Sequence, residues 1–207
     1  MPIDYKKTEK ELYQPTTTPS VIDVPKMKFI TIDGKGDPNT SEEYIVAVEL
    51  LYGLSYAIKM GNKMVLEYVV PPLEGYWEGA DNFKGMDATI TDKSKFVWTM
   101  LIRQPDFVTD EVLGNAKATL SKRKPGMDSS KARLEVITEG LCVQVMHIGS
   151  YDDEPATIEK LDRFAVDNGY VIDLSDNRRH HEIYLSDPRK VASEKLKTVL
   201  RHPIRQA

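Results

Sequence analysis

A strand-helix-strand-strand pattern runs through this chain twice, and that recurrence constrains the fold more than any other property of the sequence. In the first half, Met27 to Ile32 reads as a strand closed by the turn cluster Asp33-Gly34-Lys35-Gly36. Ser41 to Met60 reads as a helix, with Glu42 and Glu43 in the first turn, Lys59 in the last, and Gly61-Asn62 as the stop. Tyr44, Val48, Leu51, Leu54 and Ile58 fall three or four residues apart, so one face of this helix must cover something. Lys63 to Val70 and Lys95 to Arg103 have strand character, separated by a loop-rich run from Pro71 to Gly79. Asp106 to Arg123 reads as a second helix.

In the second half, Arg133 to Thr138 and Leu141 to Ile148 are predicted strands joined by the hairpin signal Glu139-Gly140. Asp152, Asp153 and Glu154 before Pro155 open a helix that Asn168-Gly169 closes. Val171 to Leu174 and Arg179 to Leu185 follow as strands, and a short last helix is expected from Ser193-Glu194, carrying Leu196, Val199 and Leu200. The halves align as 27–34, 41–60, 63–70 and 95–103 against 141–148, 154–169, 171–174 and 179–185. They share pattern rather than residue identity.

The expected fold is therefore α+β, with duplicated halves about a pseudo-twofold axis and a mostly antiparallel sheet. Strands 95–103 and 179–185 take equivalent places in it. Helices cover one face, and the other is buried by something else, solvated, or open as a ligand cleft. Residues 1–26, with four prolines and Thr16-Thr17-Thr18, read as an extended N-terminal segment too short for a helix-turn-helix module. Residues 27–207 read as a single ligand-binding domain with halves of about 27–125 and 131–205.

Composition removes several function classes. The single cysteine, Cys142, excludes an internal disulfide framework and a multi-cysteine zinc site. It sits in the apolar run Leu-Cys-Val-Gln-Val and reads as core. No stretch approaches the ~18 apolar residues of a membrane span, and no signal peptide is visible, so a cytoplasmic protein is expected. The balance of 28 basic against 32 acidic residues, interspersed along the chain, argues against direct nucleic acid binding. Lys122-Arg123-Lys124 reads as a solvated helix end.

The strand Arg179 to Leu185 holds the chemistry. Alternation puts His180, Glu182 and Tyr184 on one face and His181, Ile183 and Leu185 on the other. If Ile183 and Leu185 face the helix-covered core, Glu182 and Tyr184 face the open side. Phe96, Trp98 and Met100 share a face of their strand, as do Met64, Leu66 and Tyr68 of theirs. A carboxylate opposed by such residues fits a pocket for a flat, apolar or cationic ligand, whereas the plainer reading is a solvated glutamate beside a core stripe. His180 and His181 point to opposite faces and cannot easily share a metal ion, so no metal or cofactor is expected. Asp187 reads as a turn or helix cap.

Three segments together resemble the GyrI-like family across about residues 20–205. These are Lys28 to Pro38, Tyr68 to Trp77, and His181 to Arg189 followed by Glu194 to Arg201. The resemblance implies a duplicated strand-helix-strand-strand fold around a ligand cleft, with a functional glutamate at Glu182. The chain lacks the DNA-binding module of the family's multidrug-sensing regulators. It is closer to the free-standing subgroup, some of which are similar to hydrolases that open the cyclopropane of DNA-alkylating natural products. On that model Glu182 is a general base and Tyr68 a hydrogen-bond donor. Trp77, Trp98 and Tyr184 hold the ligand's rings, with Tyr76, Phe96 and Met100 as further ligand-binding residues. A non-catalytic binder that sequesters drugs, and a surface inhibitor of a partner enzyme, are the alternatives.

Overall fold

The computed structural model describes residues 2–78, 92–175 and 177–207. Residues 1–26 carry two single-turn helices, α1 (Tyr5–Thr8) and α2 (Lys10–Tyr13), and a strand, β1 (Ser20–Val24). The first repeat then runs β2 (Met27–Lys35), α3 (Glu42–Gly61), β3 (Leu73–Glu78), β4 (Val97–Gln104) and α4 (Asp110–Arg123). After β5 (Arg133–Ile137), the second repeat runs β6 (Gly140–Ile148), α5 (Glu154–Asp167), β7 (Tyr170–Ile172), β8 (His180–Tyr184) and β9 (Lys197–Gln206). The fold is α+β with a mostly antiparallel sheet, as the pattern predicts.

The long helices start where the sequence supplies a cap. Ser41 Oγ accepts from the Tyr44 amide of α3 at 3.3 Å, and Thr109 Oγ1 accepts from the Val112 amide of α4 at 3.3 Å. Pro155 stands in the first turn of α5, and Gly169 follows its end at a φ of 82°.

Two elements differ from expectation. Residues 63–70 form no strand: Tyr68 makes an isolated bridge to Ile3, and Met64 is 99% exposed. The strand lies in the proline- and glycine-bearing run that reads as a loop, over Leu73–Glu78; Gly79, the last residue of that run, lies outside the described residues. Pro71 and Pro72 precede the ladder, so they break none of its hydrogen bonds. Gly75 marks a close approach, because a Cβ there would stand 2.8 Å from Trp77 Nε1 and 3.2 Å from Met100 Sδ.

The expected last helix is instead a 3₁₀ turn (Ser193–Lys195) followed by the ten-residue strand β9. Thr198, Leu200 and His202 point to one face of β9 and Val199 and Arg201 to the other, and all five are buried. A strand covered on both sides loses the polar-apolar alternation that would reveal it.

The sheet order is β1-β6-β9-β8-β3-β4-β2-β5, with β7 pairing β9 off this path. The order is symmetric about the β8–β3 junction. The equivalent pairs are therefore β8 with β3, β9 with β4, and β6 with β2. Strands 95–103 and 179–185, expected to match each other, are matched with β9 and β3 instead.

Helices α3 and α4 pack on Ile30, Ile32, Trp98, Met100 and Ile102, and α5 packs on Val143, Val145, Leu200 and Ile204. The pairings Glu182–Leu200, Glu182–Gly75 and Gly75–Met100 put Glu182 on this same face. The opposite face, with Phe29, Tyr76, Leu101, Ile183 and Val199, packs against Leu12, Tyr13 and Val24. Glu182 thus lies on the helical side of the sheet rather than on an open side, in the gap between α3 and α5. Cys142 is buried in the opposite-face core, where desolvation pushes its thiol up to about 12.

Candidate active site

A cleft of about 1340 Å³ opens between the two helical groups. Trp77 of β3 and His180, Glu182 and Tyr184 of β8 line its sheet side. Tyr44, Val48 and Tyr52 of α3 line one wall, and Tyr151, Glu154 and Ile158, at and near the start of α5, line the other. Phe96 and the loop Ser186–Lys190 complete it. Across the junction between the halves, Lys93 pairs with Asp152 at 2.8 Å.

The aromatic rings brace one another. Trp77 and Phe96 meet edge to face at 5.6 Å, Tyr151 and Tyr184 at 5.9 Å, and Tyr44 lies 6.2 Å from Trp77. Glu182 is held from two sides. Tyr184 donates its hydroxyl to Oε2 at 2.5 Å, and His180 Nε2 contacts Oε1 at 3.0 Å. Trp77 Nε1 donates to the Tyr184 hydroxyl at 2.8 Å. Burial, then the charge of Glu182, pushes the Tyr184 phenol well above its ordinary value, so it stays a donor.

A second carboxyl shares the cleft. Glu154 is only 6% exposed, and its Oε1 is buried with no hydrogen-bond partner among the described residues. Burial first and the neighbouring Glu182 second push this carboxyl well above the usual range. A carboxyl that holds its proton more tightly than usual therefore sits beside Glu182 in an apolar-walled site. Among the described residues no three or more of His, Cys, Asp and Glu are arranged to hold a metal ion.

The structure brings Glu182, Trp77, Tyr184 and Phe96 together in the cleft lining. Trp98 and Met100 lie in the core under α3, with Tyr44 edge-on to Trp98 at 5.3 Å. Tyr76 lies on the opposite face, 4.5 Å from the His181 ring, with the Arg179 guanidinium 4.8 Å above it. Tyr68 is buried, with its ring 6.4 Å from Phe107 and its hydroxyl without a hydrogen-bond partner among the described residues. Neither tyrosine reaches Glu182. Asp187 does cap a turn, accepting from the Arg189 amide at 3.0 Å.

Glu154, Tyr151, Tyr44 and Tyr52 escape a reading of local pattern. Glu154 carries the ordinary signature of an acidic helix start, and only the β8–β3 junction brings that start opposite α3.

A duplicated α+β fold enclosing an aromatic cleft with a carboxyl pair defines a small-molecule-binding domain. The chain belongs to the GyrI-like family, whose small-molecule-binding-domain model matches residues 17–205. An uncharacterized conserved protein from Listeria innocua is 44% identical, with a TM-score of 0.91, over 98% of this chain and 100% of that one. A Listeria innocua protein described as a hydrolase is 44% identical, with a TM-score of 0.88, over 98% of this chain and 100% of that one. The C-terminal domain of EcmrR shares the fold at 14% identity and a TM-score of 0.54, over 92% of this chain and 98% of that domain. A search of curated proteins returns no match. Among the described residues no helix is long and apolar enough to cross a membrane.

Proposed function

We propose that this chain binds flat hydrophobic or cationic small molecules in the cleft and hydrolyses strained electrophiles, with the cyclopropane of DNA-alkylating natural products as the substrate class. The observation that carries the reading is the placement of Glu182, held by Tyr184 and His180, beside the buried Glu154, whose carboxyl burial and Glu182 push well above the usual range. A carboxyl that holds its proton more tightly than usual beside one that can pass a proton on pairs an acid with a base in one site. The Listeria protein described as a hydrolase, 44% identical, supports the same reaction class.

In a cyclopropane fused to a dienone, ring opening adds one water. Its oxygen bonds to a cyclopropane carbon while its proton passes to Glu182. The electron pair of the broken carbon–carbon bond moves into the dienone, whose oxygen takes the proton of Glu154. Returning the proton from Glu182 to Glu154 resets the site. Trp77, Phe96, Tyr44 and Tyr151 hold the flat ring system, and Tyr184 takes the donor role that the sequence assigns to Tyr68. Nucleic acid has no part in this reading, and a cytoplasmic location fits it.

The test is to incubate the purified protein with a cyclopropane-bearing alkylator and follow the product by mass. A product heavier by one water, absent with Glu182→Gln, supports hydrolysis. Tight binding without turnover would leave a sequestering protein in which Glu182 is the counter-charge.

A further inference from the structure

A line of contacts runs from Glu182 away from the cleft into the protein. Glu182 Oε1 stands 3.0 Å from His180 Nε2, His180 Nδ1 stands 2.7 Å from His202 Nε2, and His202 Nδ1 stands 2.6 Å from Asp162 Oδ1. His180, His202 and Asp162 are all buried, and Asp162 Oδ2 has no hydrogen-bond partner among the described residues. The line crosses three elements, β8, β9 and α5, and the register that sets His181 opposite Arg201 puts His180 beside His202.

Each contact requires one proton between its two atoms, so the line holds three. With Asp162 ionised, His202 donates from Nδ1, which leaves its Nε2 as an acceptor. His180 must then donate from Nδ1, and the third proton lies between His180 Nε2 and Glu182 Oε1. Burial holds the His180 imidazole below its ordinary value against the pull of Glu182, which disfavours an arrangement that charges the ring. The other titratable groups facing this end of the line are Glu154, Tyr44, Tyr151 and Tyr184 around Glu182, with His181 acting on His180 from the opposite face.

We propose that His180 and His202 relay protons behind Glu182, with buried Asp162 as the terminal acceptor of the proton that water loses in the cleft. The relay rests on the reading of Glu182 as the group that takes that proton. Water gives its proton to Glu182 Oε2, and the Oε1 proton moves to His180 Nε2. The His180 Nδ1 proton moves to His202 Nε2, and the His202 Nδ1 proton moves to Asp162 Oδ1. Four bonds to hydrogen break and four form. Glu182 and both rings end with the charge they began with, and Asp162 alone gains a proton; the same line run in reverse hands that proton back through Glu182 to Glu154 and resets the site. His180, His202 and Asp162 are positioning residues, since none of them lies between Glu182 and the ligand.

The relay can be tested without substrate, by nitrogen NMR of the imidazoles across a pH titration of the full chain. Both rings should stay neutral and change tautomer together, from Nδ1–H on the alkaline side to Nε2–H on the acid side. A ring that becomes imidazolium, or two rings that change independently, overturns the relay. In Asp162→Asn the amide oxygen still accepts from His202 Nδ1 but cannot take the proton, so both rings should stay locked as Nδ1–H. Turnover by this variant should fall about tenfold or more with KM unchanged, and the acid limb of its pH profile should move by about one unit. An unchanged rate and profile overturns the proposal. Should Asp162→Asn fail to fold, the wild-type titration still decides. A chain that hydrolyses no cyclopropane electrophile but shows the paired tautomer change would refute the reaction and keep the relay.

Discussion

The Tyr184 hydroxyl donates a 2.5 Å hydrogen bond to Glu182 Oε2 while accepting one of 2.8 Å from Trp77 Nε1. A ring that forms part of the ligand's wall therefore also fixes the carboxyl that acts on the ligand. Shape and chemistry in this cleft are coupled through one phenol, and changes to the wall should register in the reaction.

Glu182→Gln keeps the size of the side chain and removes its ability to take a proton. Turnover is expected to fall ~10²- to 10⁴-fold, the range contributed by a positioned general base, while affinity for a neutral aromatic ligand survives. Parallel turnover and binding measurements check this. If neither quantity moves, the site is misassigned.

Tyr184→Phe and Tyr68→Phe should separate the two tyrosines. The first removes a hydrogen bond to the Glu182 carboxyl, an interaction of about 1.5–3 kcal/mol, so turnover should drop about 10- to 100-fold. The second deletes a buried hydroxyl that has no partner among the described residues, so turnover should hold and stability should stay level or rise by up to about 1 kcal/mol. Equal losses in both variants would place Tyr68 back in the chemistry.

The sequence discloses what is local and conceals what depends on register. The helix from about residue 41 with Glu42 and Glu43 in its first turn, and the shared face of His180, Glu182 and Tyr184, follow from spacing alone and have their counterparts in the structure, whereas the hairpin expected at Glu139-Gly140 does not form: β5 pairs with β2, and β6 pairs with β1 and β9. Strand β9 is concealed because burial on both faces removes alternation, and β3 because proline and glycine mark a loop unless Trp77 is known to pack over Gly75. With β3 missed, the strand expected over 63–70 puts Tyr68 in the site where β3 carries Trp77. The aromatic set accordingly divides among cleft, core and opposite face. Asp162 inside a helix and His202 on an unrecognised strand carry no sign of each other until α5 is laid on the sheet.

Behind the sheet, His181 Nδ1 stands 2.9 Å from Glu139 Oε2 and its Nε2 stands 3.0 Å from Glu74 Oε2, the latter off the hydrogen-bonding line. Arg201 donates to Glu139 Oε1 at 2.8 Å. Burial raises the Glu139 carboxyl, but the His181 and Arg201 charges overcome it and hold it at about 2. Burial lowers His181, and Glu139 and Glu74 overcome that to raise it. The signs are opposite. Glu139 stabilises above its ordinary 4.5 and loses that contribution as pH falls toward about 2. His181 stabilises fully below its ordinary 6.5 and loses that contribution as pH rises through its raised folded value. Denaturant unfolding across pH should show stability falling on both sides of a maximum lying between those two ordinary values. His181→Phe should cost about 3–5 kcal/mol and reduce the alkaline fall, leaving the part that the raised Glu154 carboxyl contributes.

Gly75→Ala tests whether the strand hidden in the proline-rich run sets the geometry of the site. The added Cβ would stand 2.8 Å from Trp77 Nε1, closer than real contacts allow, and 3.2 Å from Met100 Sδ. Met100 is fully buried, so the relief must come from the partly exposed Trp77. Moving Nε1 breaks its bond to Tyr184 and loosens the phenol's hold on Glu182. The variant should lose about 1–3 kcal/mol of stability from overpacking, together with turnover in the direction of Tyr184→Phe. Gly114→Ala on the exposed face of α4 is the control: among the described residues nothing stands within 4 Å of its Cβ, so helix propensity should raise stability by up to about 1 kcal/mol with turnover unchanged. Thermal melts and turnover of the pair check the inference, and a Gly75→Ala protein as active as wild type would detach Trp77 from the placement of Glu182.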